Sequence, residues 1–247
     1  GRVDPDQRTI ARLNVLATPL RRGGRDSGTE AAGPVTPPAG PILTPLLAAG
    51  EAMPRAALWI GAAMARLSGL IPAATTAGGH LSLLPSAATE AFITHFHLDQ
   101  EPAATLSNLV RLSTIFGLMQ IVLANPSHYF TEGPATADSP FADAGMGGMH
   151  LRGNKITFRT HFAACGPNTR SAMLIHELAH FCGAHSEIRH FAKEFPFPNG
   201  TAQDGSPHDY ARMTASEAMC NASSYAAFAI HCYFGVDHRY GGRDISL

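Results

Sequence analysis

The chain has 247 residues, enough for one large domain with a proper core, or for one domain with an appendage. Apolar residues make up 45% and charged residues 15%, a globular composition, and 18 basic against 19 acidic side chains leave no net field to hold nucleic acid or anionic lipid. The four cysteines, Cys165, Cys182, Cys220 and Cys232, form no C-x-x-C pair, which argues against a zinc ribbon, while one or two disulfides are compatible with an oxidising compartment.

In chain order, residues 1–50 are expected to be a flexible amino-terminal extension. "PDQRTIARLNVLATPL" has the makings of a short helix, but "RRGGRDSGTEAAGPVTPPAGP" is too rich in Gly and Pro to bury the apolar surface that ordering requires. The sequence opens on Gly1 without a charged-then-apolar signal segment, and reads as a processed or excised piece. Residues 51–247 are expected to form a single domain. Its longest apolar tract, "AALWIGAAMARLSGLIP" from Ala56, is interrupted by Arg66 and closed by Pro72. That is shorter than a bilayer span needs, so a buried or docking helix is expected and no stable membrane insertion.

Long helical patterns follow. "SAATEAFITHFHLD" opens on Ser86, a good cap, and "PAATLSNLVRLSTIFGLMQIVLAN" keeps its apolar residues at helical spacing until Asn125 and Pro126. Between Ser127 and Thr160 the chain turns to Gly, Pro and short β-prone pieces, and the alternation in "HLRGNKITFRTHF" predicts a strand or hairpin. A helix is expected from Asn168 or Thr169 to a stop at Gly183. A last one, "TASEAMCNASSYAAFAIHCYF", carries a capping box of Thr214 and Glu217. The expected class is α+β: mostly helical, zincin-like, with a small antiparallel sheet or hairpin.

The chemistry concentrates in "LIHELAHFCG", residues 174–183, which contains H-E-x-x-H. Residues four apart project from one face of a helix, so His176 and His180 can both reach one Zn2+ ion. Glu177, one residue along, faces the cleft beside the metal and suits a general base acting on metal-activated water. The apolar residues around the motif predict a helix whose greasy back packs inward while the histidines point the other way. Nine of the 13 histidines fall between His150 and His238.

Zinc needs a third protein ligand and an open position. A metzincin would place a histidine at position 186, where this chain has Ser186, with His185 one short; a gluzincin would use a later glutamate, for which Glu217 is the candidate. His95 and His97 are two apart in a helical pattern, share no face, and read as ordinary polar groups, as do His231 and His238. Cys182 reads as a buried thiol or a disulfide partner.

These blocks resemble the aspzincins, the deuterolysin and peptidyl-lysine metalloendopeptidase group of zinc proteases. "ITFRTHFAACGPNTRSAMLIHELAHF" looks like the family's strand, aromatic turn and active-site helix, "AMCNASSYAAFA" like its later helix, and "TIFGLMQIVLANPSHYFTEGP" is similar to the helix before the sheet. The resemblance spans roughly residues 85–235 and implies an endopeptidase acting on peptide or protein substrates, secreted or delivered outside the producing cell. The family's third ligand is an aspartate in G-T-x-D-x-x-Y-G; here His190 stands where the aspartate would fall and Lys193 where the tyrosine would. A neutral imidazole is a good zinc ligand, so His176, His180 and His190 form the expected metal set. The competing segment "GTAQDGSPHDY" offers Asp204 or Asp209 as ligand and Tyr210 for the transition state; His185, Glu187 and Glu217 remain further options. Asn221 and Ser223 match family positions and read as packing behind the site. Two other readings stay open: a protease toxin or effector domain of a larger secreted bacterial protein, and a non-catalytic zinc-binding interaction module.

Overall fold

A computed structural model describes residues 43–134, 142–144, 155–184, 199–201 and 207–237. Helix α1, Pro45–Thr76, packs against most of the other helices of the described residues. Thr44 caps it by accepting from the Leu47 amide at 3.3 Å, and Pro45 supplies a pre-set φ in its first turn. Glu132 adds a carboxylate oxygen 3.2 Å from the Leu46 amide, a favourable charge for a helix N-terminus. The buried residues Ala48, Ala52, Ala56, Trp59, Ala63, Leu67, Leu70 and Ala74 recur every three or four positions and form one inward stripe, rich in alanine, against which neighbouring helices lie close.

This corrects two expectations. The helix starts inside the span assigned to the extension, since Ala48 and Ala49 are fully buried. The apolar tract expected to end at Pro72 is the middle of a 32-residue helix that runs through Pro54 and Pro72. By length and composition alone, α1 and α3 (Pro102–Ala124) are long and apolar enough to cross a membrane; in this fold they pack on each other.

Helix α2, Ser86–Phe96, begins after Pro85, so Ser86 sits in the first turn and is not the cap. His97 ends it in the left-handed conformation, φ 50°. Between α1 and α2 the chain reverses through Gly78 and Gly79, both at positive φ, and the Gly79 backbone presses on the Pro102 carbonyl at the start of α3. Helix α3 stops at Asn125 and Pro126 as predicted, followed by a short α4, Pro126–Tyr129.

Strands β1 (Phe130–Glu132), β2 (Ala142–Ala144) and β3 (Ile156–Phe158) form a sheet of order β1-β3-β2. β1 runs parallel to β3 and β2 antiparallel, so the small sheet expected to be antiparallel is mixed. Its parallel pair is possible because the connection from β1 to β3 is long. A separate antiparallel hairpin pairs β4 (Asn199–Thr201) with β5 (Pro207–Asp209). The "THF" at the end of the segment expected to be a strand or hairpin instead turns into α5, Thr160–Ala163.

Helix α6, Pro167–Phe181, follows with Pro167 at its start, and Gly183 at φ 105° closes its C-terminal end. Arg111 reaches the Gly183 carbonyl at 3.4 Å. Every residue of α6 from Arg170 to Phe181 is buried, so it is a central helix and not the half-exposed one its pattern suggested. Ser171 Oγ donates to the Ala52 carbonyl at 3.1 Å, and Arg170 pairs with Glu51 at 3.1 Å, fixing α6 on α1.

The helix predicted over 214–234 breaks in two: α7, Ala215–Cys220, and α8, Ala222–Phe234. Asn221 is extended (φ −94°, ψ 110°), and its Nδ2 donates to Ser224 Oγ at 2.9 Å, a local bond that competes with helical continuation. The capping box of Thr214 and Glu217 is present. Helix α8 packs on α1, α2 and α6, and joins Phe92, Phe96, Phe116, Tyr225 and Phe228 in an aromatic cluster. At its far end Tyr233 and Phe234 flank Trp59 with ring centres 6.4 and 6.0 Å away. All four cysteines are free thiols.

Candidate metal centre

The motif helix places His176 and His180 one turn apart with ring centres separated by 4.8 Å and planes at 83°. Two imidazoles bound to one tetrahedral zinc at about 2.0–2.1 Å would have their centres roughly 5 Å apart, so the pair fits a shared ion. Ser223 on α8 lies 3.4 Å from His176 Nδ1. With Nδ1–H donating to the Ser223 oxygen, Nε2 carries the lone pair for a metal, the role an outer partner plays at histidine-ligated metals. Histidine and glutamate of the motif are enclosed: His176 is 4% exposed, Glu177 2% and His180 3%.

His190, the expected third ligand, lies outside the described residues, as do His185, Glu187, Lys193 and Asp204. Asp209 is described only as backbone in β5. Glu217 is corrected as a candidate: its carboxylate accepts from the Thr214 amide at 2.8 Å and the Thr214 hydroxyl at 2.9 Å, so it is spent on capping α7. Cys182 is buried, and that burial pushes its thiol up to about 12, as an inert core thiol requires.

A second constellation was not read from the sequence. His95 on α2 is fully buried; its Nδ1 lies 3.1 Å from the Tyr210 hydroxyl and its Nε2 3.1 Å from His231 Nδ1 on α8. Asp237, beyond the left-handed turn at Gly235, brings Oδ1 to 4.0 Å from the same Nε2. Burial first, then the neighbouring His231 and His97, holds the His95 ring down at about 3, so it is neutral and the approach of Asp237 is no ion pair. Among the described residues, His95, His231 and Asp237 form a group that could hold a metal ion, their ligand atoms all within 4.8 Å of one another. Tyr210, a candidate for the transition state, is buried with its hydroxyl on His95. Sequence spacing could not reveal this set, because His95 and His231 are 136 residues apart.

No family model, no curated protein and no solved structure matches the chain.

Proposed function

We propose that the chain is a zinc-dependent endopeptidase in which His176 and His180 hold the metal and Glu177 is the general base. The observation that carries this is the approach of two imidazoles, 4.8 Å centre to centre, beside a buried glutamate on one helix. A bound zinc would polarise the scissile carbonyl and lower the pKa of a water at the ion. Glu177 takes the proton of the attacking water as its oxygen adds to the carbonyl, and passes it to the amide nitrogen as the C–N bond breaks, leaving a carboxylate and an amine. Ser223 orients the His176 ring through Nδ1. The aspzincin-like blocks imply the same activity, with His190, Asp204 or Asp209 completing the ligand set.

One observation favours a second reading. The three motif side chains are almost fully enclosed, as in a zinc-binding module without turnover. Incubation of the purified chain with denatured casein, with and without a chelator, separates the two. A protease loses cleavage with chelator and regains it with zinc, and Glu177→Gln lowers kcat by about 10²–10⁴ while keeping the metal. Cleavage that survives chelation would sink the zinc mechanism; zinc bound with no cleavage of any protein or peptide panel would leave the module.

A further inference from the structure

We propose that His95, His231 and Asp237 form a second site for a divalent transition metal, zinc being the best fit, which clips the C-terminal end of α8 to α2. The site is separate from the motif helix and needs neither the first metal nor peptidase activity.

Three features carry it. The first is the donor set. Two imidazoles and a carboxylate suit zinc and its neighbours better than calcium or magnesium, which prefer oxygen throughout. The second is spacing. His95 Nε2 and His231 Nδ1 stand 3.1 Å apart, close to the roughly 3.3 Å between two donors of a tetrahedral zinc at about 2.0–2.1 Å. The carboxylate at 4.0 Å needs only a small rotation to join them, and Asp237 is on a partly exposed segment, 34% accessible, that can make it. The third is the outer shell. The Tyr210 hydroxyl at His95 Nδ1 can accept that nitrogen's proton in a hydrogen bond, which fixes the tautomer with its lone pair on Nε2, facing His231.

A hydrogen bond alone would satisfy the two rings, since one nitrogen can donate to the other. The Gly235 turn also brings a carboxylate up to the same pair. A cation answers both, drawing two neutral rings and one negative group to a single point. A cavity of about 120 Å³ lies between α1, α2 and α8, with His231 in its lining beside Arg66, Glu90, Phe92 and Cys232. The consequence is structural. Ser223 and His231 are eight residues apart on α8, about 12 Å along its axis, so a metal at the far end fixes the helix that braces His176.

The test uses the full chain and zinc chloride as the only ligand, with bound metal counted after equilibrium dialysis. The unmodified chain is expected to hold two equivalents, and a His176→Gln/His180→Gln variant one. Adding Asp237→Asn to that variant is expected to weaken the remaining site by at least about tenfold, and His231→Gln to abolish it. Asp237 is exposed enough that its variant should fold, which circular dichroism checks. If the unmodified chain holds one equivalent that only Asp237→Asn and His231→Gln remove, this site stands and the motif site falls. Zinc binding that vanishes in His176→Gln/His180→Gln, or is indifferent to Asp237→Asn, overturns the proposal. So does a zinc-soaked crystal of the unmodified chain with no anomalous peak between His95 and His231.

Discussion

The Ser223 hydroxyl stands 3.4 Å from Nδ1 of His176, so a residue of α8 sets the ring of the first motif histidine on α6. Both residues are buried where the two helices pack together. Ser223→Ala is therefore expected to leave the fold intact and weaken zinc binding by roughly 10- to 100-fold, the usual cost of losing an outer partner. Competition with a chromogenic chelator measures it. An unchanged affinity would mean that the hydroxyl merely packs beside the ring.

The Arg170–Glu51 pair ties α6 to α1 with one partner nearly buried and the other 57% exposed. Solvent screening on the Glu51 side places its worth between that of a surface pair and a buried one. Glu51→Ala should cost about 1 kcal/mol, lowering Tm by about 2–4 °C in a domain of this size. Arg170→Met, which removes the buried charge as well, should cost less than Arg170→Ala. Thermal melts of the three variants check the order.

Gly79 sits at φ +86°, and a Cβ there would lie 2.2 Å from the Pro102 carbonyl oxygen. Gly79→Ala is expected to destabilise by about 2–4 kcal/mol, from backbone strain and the collision together. Gly50, inside α1 with nothing within 4 Å of an added Cβ, supplies the opposite case. Gly50→Ala should stabilise by about 0.4–1 kcal/mol. Urea unfolding of both variants gives the comparison, and equal shifts would refute it.

The cysteines should divide by access. Cys182 and Cys232 are buried and their thiols are pushed up to about 12 by that burial, while Cys165 is half-buried. In the native chain at pH 8, iodoacetamide should modify Cys165 first and leave Cys182 and Cys232 untouched until denaturant is added. Mass spectrometry of the tryptic peptides locates the label. Early labelling of Cys182 would show α6 less enclosed than described.

Much of the helical order was legible because its signals are local. Asn125 and Pro126 end α3, Gly183 ends α6, and the Thr214–Glu217 box opens α7, each through chemistry within a few residues. What failed depends on distant partners or on conflict between local rules. The pattern around His176 suggested a one-faced helix, but α8 also covers the histidine side, where Ser223 meets His176. Proline was read as a stop at Pro72, yet packing along the alanine stripe carries α1 through it. Asn221 looked helical by its neighbours, and its own side chain breaks the run. The parallel strand pair requires knowing that β1 returns beside β3 across a long connection. At the site, H-E-x-x-H was readable from five consecutive residues, whereas His95, Tyr210 and His231 meet only through tertiary structure.

Trp59 is the single indole of the chain, held against Tyr233 and Phe234 where α8 ends on α1. Its emission is thus an optical gauge of one joint and of nothing else. Excited at the red edge, away from tyrosine, the native chain should glow at short wavelength. Any event that loosens the last turn of α8 should redden that light before the remainder of the molecule responds.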